Sequence, residues 1–197
     1  MKLSTRDMIL VALFAALTAI GAYLVIPTQP VPFTLQILFS MYAGVFLGAK
    51  LGFFSQIVYV LMGLVGLPVF AGGVGGFFHI LKPTFGYLIG FILCAAVIGK
   101  ITENISNPKG FFGFSKVFGA GALGLFTVYA VGVSYLYGIV NFYLGSTMSF
   151  SAALKTGFYP FIIQDLIKVG IVSFTSIFVI PAIRRAGFVK ESKSNIQ

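Results

Sequence analysis

Pro83-Thr84-Phe85-Gly86-Tyr87-Leu88-Ile89-Gly90-Phe91-Ile92-Leu93-Cys94-Ala95-Ala96-Val97-Ile98-Gly99-Lys100-Ile101 carries no charge before Lys100. Its apolar residues are continuous rather than alternating, so it reads as a helix and not as a strand of a lipid-facing barrel. About 20 helical residues cross a hydrocarbon layer about 30 Å thick, which is what this run supplies. Working outward from it, five more apolar runs are bounded by charge, Pro or Gly: 8–26, 33–47, 51–67, 117–143 and 158–180. The runs 33–47 and 51–67 are separated only by Gly48-Ala49-Lys50, which predicts a tight helical hairpin. The whole chain fits that pattern. It has 197 residues, 58% of them hydrophobic and 9% charged, against about 25% charged in soluble domains. Mean hydropathy is +1.04, so there is too little polar surface to cover a globule in water. With 23 Phe and 9 Tyr the chain is not disordered, and its 24 Gly follow no collagen period. The expected fold is therefore an all-α integral membrane protein, one six-helix domain over residues 1–197.

Lys and Arg in short loops favour the cytoplasm. With the N-terminus inside, the cytoplasmic segments hold Lys2, Arg6, Lys50, Lys100, Lys109, Lys116, Arg184, Arg185, Lys190 and Lys193, and the outer loops only Lys82 and Lys155. Both termini are thus expected in the cytoplasm, with Lys168 left over inside the sixth run. Lys2, Arg6 and the run closing on Ala19-Ile20-Gly21-Ala22 also resemble a cleavable signal peptide. Its removal would leave five helices and reverse the fit between charge and side. The net charge of +9 does not mark a nucleic-acid binder, because the basic residues punctuate apolar runs instead of clustering on one solvated face.

Chemistry concentrates in a few places. Asp165 and Lys168, three residues apart, share one face of the sixth run. A charge at membrane depth costs on the order of 3 kcal/mol, so such residues pair and mark a site or pathway; the competing reading is an ion pair that only joins two helices. The outer stretch Gly66-Leu67-Pro68-Val69-Phe70-Ala71-Gly72-Gly73-Val74-Gly75-Gly76-Phe77-Phe78-His79-Ile80-Leu81-Lys82 is glycine-rich yet too aromatic for a solvated linker, so a lid folded on the bundle is expected in place of a flexible connector. Free N–H groups at Gly73 and Gly76 would suit an anion. His79 is the only histidine and Cys94 the only cysteine, so no metal set, disulfide framework or catalytic constellation is expected. Pro27, Pro30 and Pro32 stiffen a loop that delivers Thr34 and Gln36 to the mouth of the second helix, as ligand contacts or as caps. Ala12 with Ala16, and Ala15 with Ala19, make small-residue stripes on helix one; the spacing leaves open whether a helix of this chain or another protein packs there.

Pro30-Val31-Pro32-Phe33-Thr34-Leu35-Gln36, the Gly66–Gly76 stretch continuing into Pro83-Thr84-x-Gly86-Tyr87-Leu88-Ile89-Gly90-Phe91, and Pro160-Phe161-x-x-x-Asp165-x-x-Lys168 together resemble the BioY family, the biotin-specific substrate-binding components of energy-coupling factor transporters. The chain departs from that family's usual Gly at Lys82, Phe85 and Gln164. The resemblance implies a six-helix protein of the cell membrane that binds biotin from outside and has no cofactor or enzymatic step of its own. It implies, as partners, a transmembrane coupling protein of the EcfT type, docked on the small-residue face of helix one, and two cytoplasmic ATPases of the EcfA type. Biotin's chemistry then suits Asp165 to the ureido N–H groups and Lys168 to the ureido oxygen. Phe70 and Tyr87 become aromatic walls, and Lys82 with the glycine loop and His79 takes the carboxylate; the inverse assignment uses the same groups. Another small vitamin, a membrane enzyme and a scaffold subunit are the alternatives.

Overall fold

The computed structural model describes residues 3–103, 105 and 110–185. The loop and tail charges at Lys2, Lys109, Lys190 and Lys193 lie outside the described residues. The described residues are mostly helical: α1 (Thr5–Tyr23), a small hairpin of β1 (Val25–Ile26) and β2 (Phe33–Thr34), α2 (Gln36–Leu64), a 3-10 turn (Phe77–Leu81), α3 (Phe85–Thr102), α4 (Gly110–Gly138) with a π-helical end (Ile139–Tyr143), α5 (Phe150–Gly157) and α6 (Tyr159–Arg185). Five stretches are long and apolar enough to cross a membrane.

Local chemistry explains where these elements start and stop. Ser4 and Asp7 form a reciprocal cap, Asp7 N–H on Ser4 Oγ at 3.2 Å and Ser4 N–H on Asp7 Oδ2 at 3.0 Å, so α1 begins before the expected Met8. It ends before the expected Ile26 because Val25 and Ile26 pair with Thr34 and Phe33. The fifth expected run, which folds as α4, begins at Gly110 instead of Val117. Lys116, which reads as a loop charge, lies on the helix surface with Nζ 4.4 Å from the Phe112 ring centre, so it does not break the helix. A short helix absent from the sequence reading, α5, is started by Ser149, whose Oγ accepts from Ala152 N–H.

The α2 segment is two antiparallel arms. Gln36 Nε2 donates to Tyr59 Oη at 2.5 Å, whereas a straight helix would separate these residues by about 35 Å. The chain reverses at Gly48, within the expected Gly48-Ala49-Lys50 turn, at φ 79° and ψ 179°, a conformation only glycine adopts without strain. Glu103 Oε1 accepts the Ala49 N–H at 2.7 Å and so caps the second arm. A Cβ on Gly48 would meet that same oxygen at 2.4 Å, so Gly48→Ala combines strain with a clash.

Helices then pack through small residues, as association in lipid requires. A Cβ on Gly44 would meet Ala95 O at 2.6 Å, and one on Gly90 would meet Val128 Cα at 2.8 Å, which brings α3 against both the first arm of α2 and α4. Inside the bundle, Gln56 Nε2 donates to Thr18 Oγ1 at 3.1 Å and ties α1 to the second arm of α2. Ala15 is fully buried in this packing, while Ala12 and Ala16 face outward and Ala19 is half-buried. Helix one therefore uses its two stripes differently: Ala15 belongs to the chain's own core and is not available to a partner.

Candidate binding site

At the end of the bundle covered by the 66–84 connection lies a cavity of about 340 Å³, within the range of small-molecule sites. Its polar side is built on α6. Asp165 is 6% exposed and Lys168 8%, and Lys168 Nζ lies 2.7 Å from Asp165 Oδ1. The spacing of three along the helix puts both on the cavity wall, and each finds a second partner on another element. Tyr129 Oη on α4 donates to Asp165 Oδ2 at 2.5 Å, and Lys168 Nζ donates to Thr34 O on β2 at 2.8 Å. A buried pair is tolerable only when its remaining valences are met in this way. Lys168 retains one N–H, and the carboxylate retains lone pairs.

The β1–β2 hairpin forms the neighbouring wall. It is fixed to α1 by Leu35 N–H on Gly21 O and to α6 by Phe33 and Phe161, whose ring centres are 4.5 Å apart. Thr34 Oγ1 donates to Gln36 Oε1 at 2.8 Å and Gln36 Nε2 goes to Tyr59, so these two line the cavity with their polar atoms already engaged. Across from them the 66–84 connection turns inward. Phe70 is fully buried, its ring over Gly63, where a Cβ would meet it at 2.1 Å, and 4.5 Å from the His79 ring. Phe70, His79, Lys82 and Tyr87 all line the cavity. Tyr87 Oη donates to Gly157 O at 2.8 Å, which leaves its ring as a wall.

Gly73 and Gly76 do not line it. The expectation of free amides there is corrected by the backbone: Gly73 N–H donates to Phe70 O at 3.0 Å and Gly76 N–H to Gly63 O at 2.7 Å. Their positive φ angles, 69° and 110°, serve the turn that seats Phe70, and their N–H groups have none left for an anion.

Burial, reinforced by the nearby Lys82 charge, pushes the His79 imidazole down to about 4, so it is neutral at physiological pH. Among the lining residues two ammonium groups then face one carboxylate, leaving one positive charge in excess, which matches a monoanionic solute with its own donor and acceptor groups. Tyr129, Phe161 and Gln164 also line the cavity and escaped the sequence reading as site residues. Gln164 was visible only as a departure from the glycine usual at that position, and Tyr129 only as one polar ring in an apolar run.

The sequence profile of the BioY family matches residues 1–185. The chain belongs to the BioY family. It is 48% identical over 163 residues to a Lysinibacillus sphaericus protein described as "probable biotin transporter BioY", covering 82% of this chain and 80% of that one. It is 41% identical over 163 residues to the biotin transporter BioY of Thermotoga maritima, covering 83% and 89%. Its fold is similar to the crystal structure of the S-component for biotin from an ECF-type ABC transporter, with a TM-score of 0.79 and 26% identity over 91% of this chain and 95% of that one. As a member of this family with five long apolar helical stretches, the chain is a multi-pass membrane protein.

Proposed function

We propose that this chain is the substrate-specificity component of an energy-coupling factor transporter, binding biotin in the cavity on α6 for uptake across the cell membrane. It is a transport component and not an enzyme. The observation that carries the reading is the cavity itself, with a satisfied carboxylate–ammonium pair, aromatic walls and one excess positive charge, in a family whose relatives are named biotin transporters. Asp165 accepts from a ureido N–H, and the free N–H of Lys168 reaches the ureido oxygen. Phe70 and Tyr87 flank the apolar ring and chain, and Lys82 with neutral His79 holds the carboxylate. Thr34 and Gln36 shape the wall between α2 and the hairpin, and Gly73 and Gly76 hold the loop in place.

The reading has six crossings, the two arms of α2 counting separately, with both termini cytoplasmic and the 66–84 connection as an outer lid seated by Phe70. An impermeant thiol reagent tests this on single cysteines in a Cys94→Ala background: in intact cells it labels Phe78→Cys and spares Lys50→Cys, and the reverse pattern contradicts the topology. The sequence has no Gly-x-x-x-x-Gly-Lys-Ser/Thr loop, so energy comes from partners: a coupling protein of the EcfT type, docked on the outward Ala12–Ala16 face of α1, and two EcfA-type ATPases. Calorimetry of the purified chain tests the central assignment. Stoichiometric heat with biotin supports it; no heat with biotin, and heat with another small vitamin, moves the chain to a different substrate.

A further inference from the structure

Gln164 stands beside Asp165 on α6 and lines the same cavity, and it also borders the groove behind the β1–β2 hairpin. Its Nε2 is buried with no hydrogen-bond partner among the protein atoms. A buried amide N–H is not left idle without cost, least of all in a membrane, where water does not replace the missing acceptor. The acceptors nearest on its wall hold other donors and none of them takes this one. Lys168 takes Thr34 O and Asp165 Oδ1, Tyr129 takes Asp165 Oδ2, and Thr34 Oγ1 takes Gln36 Oε1. Gln164 thus carries an unpartnered amide beside the cavity, and turning its side chain about its own bonds presents that amide to a guest.

We propose that Gln164 is a ligand-recognising residue whose carboxamide N–H donates to the ureido oxygen of bound biotin, next to the ureido N–H that Asp165 accepts. This rests on the biotin reading above. A cyclic urea places its oxygen between its two N–H groups, so the wall residue adjacent to the accepting carboxylate meets that oxygen. The oxygen takes two hydrogen bonds, and Lys168 has only one N–H left to give after its bonds to Asp165 and Thr34. The carboxylate end of the ligand is served from the other wall, by Lys82 and His79.

Gln164→Met keeps the side chain's length and removes its polar atoms, and it separates a ligand contact from a structural role by sign. The full chain in detergent is titrated calorimetrically with biotin, with biotinol, in which the carboxylate is an alcohol, and with protonated 2-iminobiotin, which carries N–H where biotin carries its ureido oxygen. Melting without ligand is followed alongside. The expected result is about a tenfold loss of biotin affinity, or about 1.4 kcal/mol. The same loss is expected for biotinol and none for 2-iminobiotin, with a ligand-free melting temperature equal to or above that of the unsubstituted chain. Biotin affinity within about twofold of the unsubstituted chain overturns the inference, most plainly if the melting temperature falls, because Gln164 is then structural. An equal loss for 2-iminobiotin, or a loss that disappears with biotinol, also overturns it by moving the contact away from the ureido oxygen. If the unsubstituted chain binds no biotin at all, the biotin reading fails and this inference fails with it; normal binding by the unsubstituted chain with an indifferent variant sinks only the role of Gln164.

Discussion

The two ends of this bundle differ in where their polar side chains lead. At the end under the 66–84 connection they bond across elements: Tyr129 of α4 to Asp165 of α6, Lys168 of α6 to Thr34 of β2, Gln36 to Tyr59 between the arms of α2, and Tyr87 of α3 to Gly157 of α5. Toward the other end several close on their own helix, Thr102 Oγ1 on Ile98 O at 2.9 Å and Ser173 Oγ on Val169 O at 2.7 Å, and the bond that does cross there, between Tyr42 Oη of α2 and Thr175 Oγ1 of α6 at 2.8 Å, joins residues that do not line the cavity. There Glu103 crosses to Ala49 as a helix cap, and Ser176 Oγ has no protein partner among the described residues. A hydroxyl closed on its own helix is hidden from everything else, whereas a network between helices holds groups in fixed relation and leaves capacity for a guest. Polarity in a membrane marks a site when its bonds run between elements and its groups also line a cavity, which the Gln56–Thr18 tie does not.

The largest expected effect breaks that contrast at its centre. Asp165→Asn should insert normally and bind biotin a hundred- to several-thousand-fold more weakly by calorimetry, since removing one member of a buried charged set costs about 3 to 5 kcal/mol. Lower thermal stability with near-normal affinity would instead make Asp165 and Lys168 a helix-joining pair. Next, Ala16→Trp on the outward face of α1 should keep biotin affinity and lose most ATP-dependent uptake, together with co-purification of the coupling protein. Ala15→Trp, placed in a site with 0% exposure, should lower stability itself. Full coupled uptake by Ala16→Trp would remove this face as the docking surface. The smallest effect sharpens the contrast from the far end: Ser173→Ala should leave biotin affinity within about twofold and stability within about 1 kcal/mol, because its hydroxyl only closes on Val169 O.

Which parts of this can be read from the sequence follows from what makes a residue stand out. Asp165 and Lys168 are visible because charge inside an apolar run is costly and demands a partner, and the Gly48 reversal because Gly-Ala-Lys interrupts one. Tyr129 is not visible: a tyrosine in an apolar helix is ordinary, and only the approach of α4 to α6 turns its hydroxyl onto Asp165. The glycines of the outer connection stand out in sequence but for the wrong chemistry. Gly73 and Gly76 suggest open amides, and the folded chain spends those amides on Phe70 O and Gly63 O to seat Phe70. The α5 helix escaped because eight residues, about two turns, are too few for a period to stand out beside a transmembrane run, and Ser149 marks its start only once the cap is seen.

A crystal structure of this chain soaked with or grown in biotin measures the central claim directly. One biotin is expected in the cavity on α6, with a ureido N–H within hydrogen-bond distance of the Asp165 carboxylate and its own carboxylate near Lys82. Biotin bound elsewhere on the chain, with the Asp165–Lys168–Thr34 bonds untouched and the cavity empty, would contradict it.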